Sequence, residues 1–185
     1  MNAPAHDPIT RAIHWIVAVL VATAYGVALV REDLPKGDLR TFLLAFHMWI
    51  GMGVFVLSIA RIGWRSAAPA IEPAPGTPPM RLAARAVHVG LYLALLALPL
   101  IGLLAAWGKG RPVTLFGLMP LASPLPIDRE LGGRLEDLHQ LAGHGLMILA
   151  GLHAAAAIAH QWVLKDGTLA RMLPLVRGRT AVSAE

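Results

Sequence analysis

The chain has 185 residues, 56% of them hydrophobic and only 15% charged, with a mean hydropathy of +0.61; a soluble domain carries about a quarter charged residues, so an all-aqueous fold is excluded. It contains no cysteine, which removes disulfides, iron–sulfur clusters, thiolate zinc sites and covalent c-type heme attachment. The formal net charge is +5, but Lys and Arg stand at the ends of apolar runs, where they anchor to lipid headgroups, so the charge points to membrane lipid and not to nucleic acid.

Four runs are long enough to cross a hydrocarbon core of about 30 Å, which takes roughly 20 helical residues. They cover about 13–30, 42–62, 82–107 and 138–164. Backbone groups in lipid must be bonded within the segment, so the runs are helices and the fold is all-α: one integral membrane four-helix bundle, 1–185, with antiparallel up-down helices. The first run is too long for a cleaved leader, and Asp7-Pro8 precedes it without a strongly basic start, so it is read as retained. Pro99 predicts a kink in the third run. The joint at 31–40 is short and charged, and that at 68–79 is a Pro-rich extended linker. The joint at 108–135 carries several prolines and balanced charge, and is long enough for a structured cap over one membrane face.

Nine Lys and Arg lie on the side of the termini and the second joint, against seven on the other. The positive-inside rule therefore places both termini in the cytoplasm.

Ionisable groups inside a bilayer are costly and mark function. His139 and His153 lie 14 residues apart on the fourth helix, close to four turns, so they share a face and stand roughly 21 Å apart along the axis. His14 opens the first helix at the level of His153, and His47 opens the second at the level of His139. Two cross-helix pairs result, His14 with His153 and His47 with His139, each suited to clamp a planar iron macrocycle between two imidazoles. Neutral imidazole binds iron without bringing charge into lipid, and its second nitrogen can be fixed by backbone. Gly51 and Gly53, with Gly143, Gly145 and Gly151, make room for a flat porphyrin. Arg61, Arg65 or Arg11 could meet heme propionates. One zinc ion is a weaker fit, because its four nitrogens would have to converge at one depth.

Several stretches resemble the bacterial cytochrome b561 family: Ala12-Ile13-His14-Trp15, Phe46-His47-Met48 with Gly51, Leu138-His139, and Gly151-Leu152-His153. So do Ala97-Leu98-Pro99-Leu100-Ile101-Gly102-Leu103, Ala159-His160-Gln161 and Lys165-Asp166-Gly167-Thr168-Leu169 through Pro174. The resemblance runs from about residue 8 to 174 and is nearest to a superoxide oxidase branch. It implies two hemes b, axial ligation by His14, His47, His139 and His153, and electron transfer from superoxide to ubiquinone. It further implies His160 at a quinone, with His88 a weaker candidate; the plain alternative for His160 is a polar residue at headgroup level. Lys109 and Arg111 are candidates for an anion entrance that attracts superoxide, but read first as interfacial anchors, since Glu130, Glu136 and Asp137 lie on their side and weaken a positive field. His144 departs from the family pattern and is read as structural, and His6 as solvated. Two other readings stay open: a cytochrome b subunit exchanging electrons with a partner dehydrogenase or hydrogenase, and a membrane transporter of transition metal.

Overall fold

A computed structural model of the chain describes residues 5–68 and 76–173. The four expected helices are there: α1 Pro8–Asp33, α2 Asp38–Ala67, α3 Pro78–Gly108 and α4 Arg129–Trp162. Each is long and apolar enough to cross a membrane.

The helices run beyond the apolar spans because capping, not hydropathy, sets where the backbone starts to coil. Asp7 accepts the Thr10 N–H at 2.9 Å, and Pro8 fills the first turn, where a missing N–H costs nothing. Asp128 accepts the Leu131 N–H at 2.9 Å, so α4 begins at Arg129 and not near 138. Pro78 and Pro79 belong to the first turn of α3 and not to the linker, for the same reason as Pro8. The linker's residues 69–75 lie outside the described ones. α3 continues through Pro99 to Gly108.

Two small elements were not expected. A two-stranded antiparallel hairpin, β1 Thr114–Leu115 with β2 Met119–Pro120, lies between α3 and α4. A single helical turn, α5 Thr168–Met172, follows α4 after Gly167, whose φ of 75° turns the chain back.

α1 packs on α2 and α3 on α4, while α2 and α3 join the two pairs. Val17, Ile50 and Val54 form the buried cluster of the first pair, and Leu95 of α3 packs against it. In the second pair Gly108 and Gly132 let the backbones touch: a Cβ on Gly132 would stand 2.8 Å from the Gly108 carbonyl carbon and the Lys109 nitrogen.

Cross-links at each end define two faces. At the N-terminal face the Trp64 indole donates to Asp7 at 3.0 Å, the His6 N–H to the Arg171 carbonyl at 3.0 Å, and the Trp15 indole to the Met172 carbonyl at 3.2 Å. The start of α1, the end of α2 and α5 thus form one cap. At the hairpin face the Trp107 indole donates to the Leu121 carbonyl at 3.2 Å.

Candidate functional site

The up-down fold brings the four spanning histidines together as the helix arithmetic requires. The ring centroids of His14 and His153 are 6.3 Å apart with planes at 74°, and those of His47 and His139 are 5.9 Å apart at 84°. An imidazole nitrogen binds a first-row metal at about 2.0–2.1 Å and its ring centre lies about 1.2 Å behind it, so two imidazoles in line on one ion have centroids about 6.4 Å apart. Both pairs are close to that separation.

The pair nearer the hairpin is held from behind. His47 Nδ1 lies 2.9 Å from the Ala24 carbonyl and His139 Nδ1 lies 3.0 Å from the Leu98 carbonyl. A carbonyl only accepts, so each Nδ1 carries the proton and each Nε2 keeps its lone pair for a metal. His139 also needs Gly102, where a Cβ would meet its Cε1 at 2.9 Å and its Nδ1 at 3.0 Å. Gly102 lay inside a family-like stretch, but nothing in the sequence tied it to His139.

These rings face a cavity of about 380 Å³ walled by all four helices and by Val113, Leu115, Phe116 and Leu121 of the hairpin segment. Of the five glycines expected to make room, Gly51 and Gly143 line it, and a Cβ on either would meet nothing within 4 Å. Gly53 and Gly145 do not line it, being about 200° round their helices from Gly51 and Gly143, and Gly151 lies beyond it toward the level of His153. Tyr25 and His144 share the wall, the hydroxyl 2.8 Å from His144 Nδ1, so His144 ties α4 to α1.

Arg31, Glu32, Arg111 and Glu136 line the cavity's charged end. Glu136 takes both candidate entrance residues: Lys109 bonds its Oε2, and Arg111 bonds its two oxygens at 2.8 and 3.4 Å. Much of their charge is therefore compensated. The Arg31 Nε is buried without a hydrogen-bond partner.

Around the other pair, His88 of α3 sits 5.2 Å from His153, centroid to centroid. It belongs beside the His14/His153 pair and not apart from it. Arg61 donates Nε to the Tyr92 hydroxyl at 3.0 Å, with its guanidinium 5.9 Å from that ring centre. Arg11 Nε and Arg65 Nη1 are buried without hydrogen-bond partners, as is the hydroxyl of Ser58. His6, expected in solvent, is half-buried with an unpartnered Nδ1; burial first, then the charges of Arg65, Arg171 and Arg61, hold its pKa below the ordinary histidine value. The fold of α5 across α1 covers it. Buried guanidinium nitrogens without acceptors, as on Arg11 and Arg65, fit an acidic group such as a propionate.

His160 lies in the last turn of α4, its Nδ1 2.5 Å from Asp166 Oδ2. Asp166 Oδ1 accepts from the Thr168 N–H and hydroxyl. Burial alone would raise the Asp166 pKa, but the bonds from His160 and Thr168 outweigh it and leave it below the ordinary carboxylate value. Among the described residues no three His, Asp or Glu side chains converge as a metal cage.

The family model of prokaryotic cytochrome b561 matches residues 5–175. The chain is 36% identical to a probable superoxide oxidase CybB of Yersinia pestis over 90% of this chain and 94% of that one. It is 35% identical to cytochrome b561 homolog 1 of Escherichia coli (88% and 93% covered) and 30% identical to a cytochrome b562 of Cereibacter sphaeroides (92% and 96% covered). The chain belongs to the prokaryotic cytochrome b561 family: it is a multi-pass bacterial membrane protein of electron transfer, and the family implies heme b.

Proposed function

We propose that this member of the family carries two hemes b and passes electrons singly through the bilayer, from superoxide at the hairpin face to ubiquinone at the N-terminal face. The observation that carries the reading is the two cross-helix imidazole pairs, 6.3 and 5.9 Å apart, at depths separated by roughly 21 Å of helix rise. Heme iron supplies the one-electron chemistry. The protein's part is ligation and orientation: Ala24 and Leu98 fix the tautomers of His47 and His139.

At the N-terminal face Arg61, Arg65 and Arg11 receive propionates, and the buried unpartnered nitrogens of Arg65 and Arg11 support that role. At the other face the unpartnered Arg31 Nε, with Arg111 beside it in the cavity wall, is a second such place, and one the sequence did not suggest. Superoxide meets Lys109, Arg111 and Arg31 against Glu136 and Glu32, a weakly positive rim and not a strong one. The name of the Yersinia pestis relative supports superoxide as donor.

His160 is the quinone residue in this reading. Asp166 takes its Nδ1 proton in a hydrogen bond, which leaves Nε2 as the atom that exchanges a proton with a quinone carbonyl. His88, against His153, serves the ligand pair's surroundings before any quinone. The excess of cationic residues on the N-terminal face supports a cytoplasmic position for that face in an inner membrane.

The test starts with a reduced-minus-oxidised spectrum and pyridine hemochromogen quantification of the purified protein, where two hemes b per chain are expected. His14→Ala and His153→Ala should each remove one and the same heme, and His47→Ala and His139→Ala the other. A crossed pattern refutes the pairing. Superoxide-dependent ubiquinone reduction by the isolated chain supports the donor; reduction only with a dehydrogenase or hydrogenase partner replaces that reading with a subunit role. Protein made with ample heme supply yet holding none would leave transition-metal transport ahead.

A further inference from the structure

We propose that residues 112–127 form a re-entrant flap immersed in lipid, with the tip at Leu118 resting among acyl chains of the leaflet on the hairpin face. The argument begins with charge. The joint between α3 and α4 looked balanced, but its charges stand only at the ends: between Arg111 and Asp128 sixteen residues carry none. Four of them are prolines, which have no N–H to leave unpaired.

Depth follows from what the hairpin touches. The Trp49 indole donates to the Thr114 hydroxyl at 3.2 Å, and a Cβ on Gly117 would meet the Trp49 ring at 3.0 Å. Trp49 is nine residues beyond Arg40, about 13 Å along α2, and its side chain leans back by at most a turn. The hairpin therefore reaches the level of His47. A water-exposed hairpin at that level would leave only residues 50–60 of α2 before Arg61, about 16 Å of helix, to cross a core of about 30 Å. The flap thus lies below the membrane surface.

Its construction suits a medium without water. Leu118 donates its N–H to the Leu115 carbonyl and Leu121 to that of Val113, both at 2.9 Å. The Ser123 hydroxyl bonds the Leu125 carbonyl at 2.8 Å. Exposed backbone polar groups are costly in hydrocarbon, and these bonds remove several. Phe116 accepts a φ of 49°, a costly conformation for a bulky residue, and its ring joins the cavity wall. Its neighbour Leu118 points away, 88% exposed. Exposed Met119, Leu125 and Ile127 flank that tip, and exposed Phe42 and Phe46 continue it along the face of α2 that carries Trp49. Lipid covers this α2 face already, so the same lipid is the occupant for the tip. One side of the flap closes the histidine cavity while the other meets acyl chains.

The chain has no cysteine, so single nitroxide labels report cleanly. In phosphatidylcholine–phosphatidylglycerol vesicles, Leu118→Cys and Met119→Cys labels should collide with oxygen far more than with a water-soluble nickel chelate. Their oxygen-to-nickel ratio should exceed that of an aqueous reference at Lys36→Cys by about tenfold and approach that of Ile148→Cys on the lipid face of α4. A ratio like that of Lys36→Cys would place the flap in water and overturn the proposal. Low collision with both reagents would mean that protein, a second copy or a partner, covers the tip, and would overturn it equally. Two label positions guard against one variant failing to fold.

Discussion

Gly102→Ala is the sharpest test of the histidine geometry, because it adds one methyl group outside any ligand. The new Cβ would stand 2.9 Å from His139 Cε1 and 3.0 Å from its Nδ1. Carbon contacts are comfortable at about 3.5–4.0 Å, so the ring must retreat by about 0.5–1 Å. The methyl group and the Leu98 carbonyl both belong to α3, and a ring pushed off one moves away from the other. The Nδ1···O distance of 3.0 Å then passes the limit of a hydrogen bond, near about 3.5 Å. Losing an orienting bond of this kind weakens a metal site by about 10–100-fold, or about 1.4–2.8 kcal/mol. The assay is heme titration of the purified variant with hemochromogen quantification. On the proposed two-heme reading, the heme held by His47 and His139 should bind about 10–100-fold more weakly, while one held by His14 and His153 is untouched. Gly145→Ala, whose Cβ would meet nothing within 4 Å, is the control and should retain both. If Gly102→Ala binds both hemes with unchanged affinity and spectrum, Leu98 and Gly102 do not position His139 for a metal.

Gly132→Ala probes packing away from the histidines. Its Cβ would come within 2.8 Å of Gly108 and Lys109 backbone atoms, which cannot swing aside, so α3 and α4 must part at a cost of about 1–3 kcal/mol. The thermal midpoint in detergent should fall by several degrees, whereas Gly133→Ala, with open space, should not move it. A pH dependence follows from Asp7, whose carboxyl is pushed down from 3.8 to about 2, first by its bonds with Thr10. A depressed folded pKa means stabilisation present above 3.8 and lost as the pH falls through about 2. Hydrogen-exchange protection of the Thr10 amide should fall across that window and be low and flat in Asp7→Ala; a flat wild-type profile would show that Asp7 is not what holds the start of α1.

The histidine pairs were legible because 3.6 residues per turn and 1.5 Å per residue fix which positions on a membrane helix share a face and a depth. Helix ends were less so. A hydropathy reading stops at the hydrocarbon edge, whereas α4 continues outward to Arg129 because Asp128 caps it there. That signal stood in the sequence, as did Asp7-Pro8 before α1, but only as short-range chemistry that hydropathy averages away. Gly102 could not be assigned, because its role depends on α3 and α4 meeting at one height. The burial of His6 likewise depends on α5 folding back 165 residues later. The charge at 108–135 looked balanced only when averaged; taken residue by residue it separates into polar ends and an uncharged middle.

On the proposed reading the ligand set also explains how the helices are distributed. α4 supplies one histidine to each pair, α1 and α2 supply the partners, and α3 supplies no ligand but holds His139 through Leu98 and Gly102. Both clamps therefore join the α1/α2 pair to α4, whose tight packing is otherwise with α3. Between the two halves the protein's own ties include α2 against α3, Leu95 on the Val17 cluster, Tyr25 bonded to His144, Trp49 bonded to Thr114, and the α1 start bonded to the α5 segment through His6 and Trp15. Transmembrane helices gain no hydrophobic drive from one another in lipid, so such ties and any group clamped between the halves set their registration. A one-residue slip of α4 would turn its face by about 100° and break both clamps together. Two pairs on one helix face thus fix rotation and depth at once, which one pair alone would leave to side-chain packing.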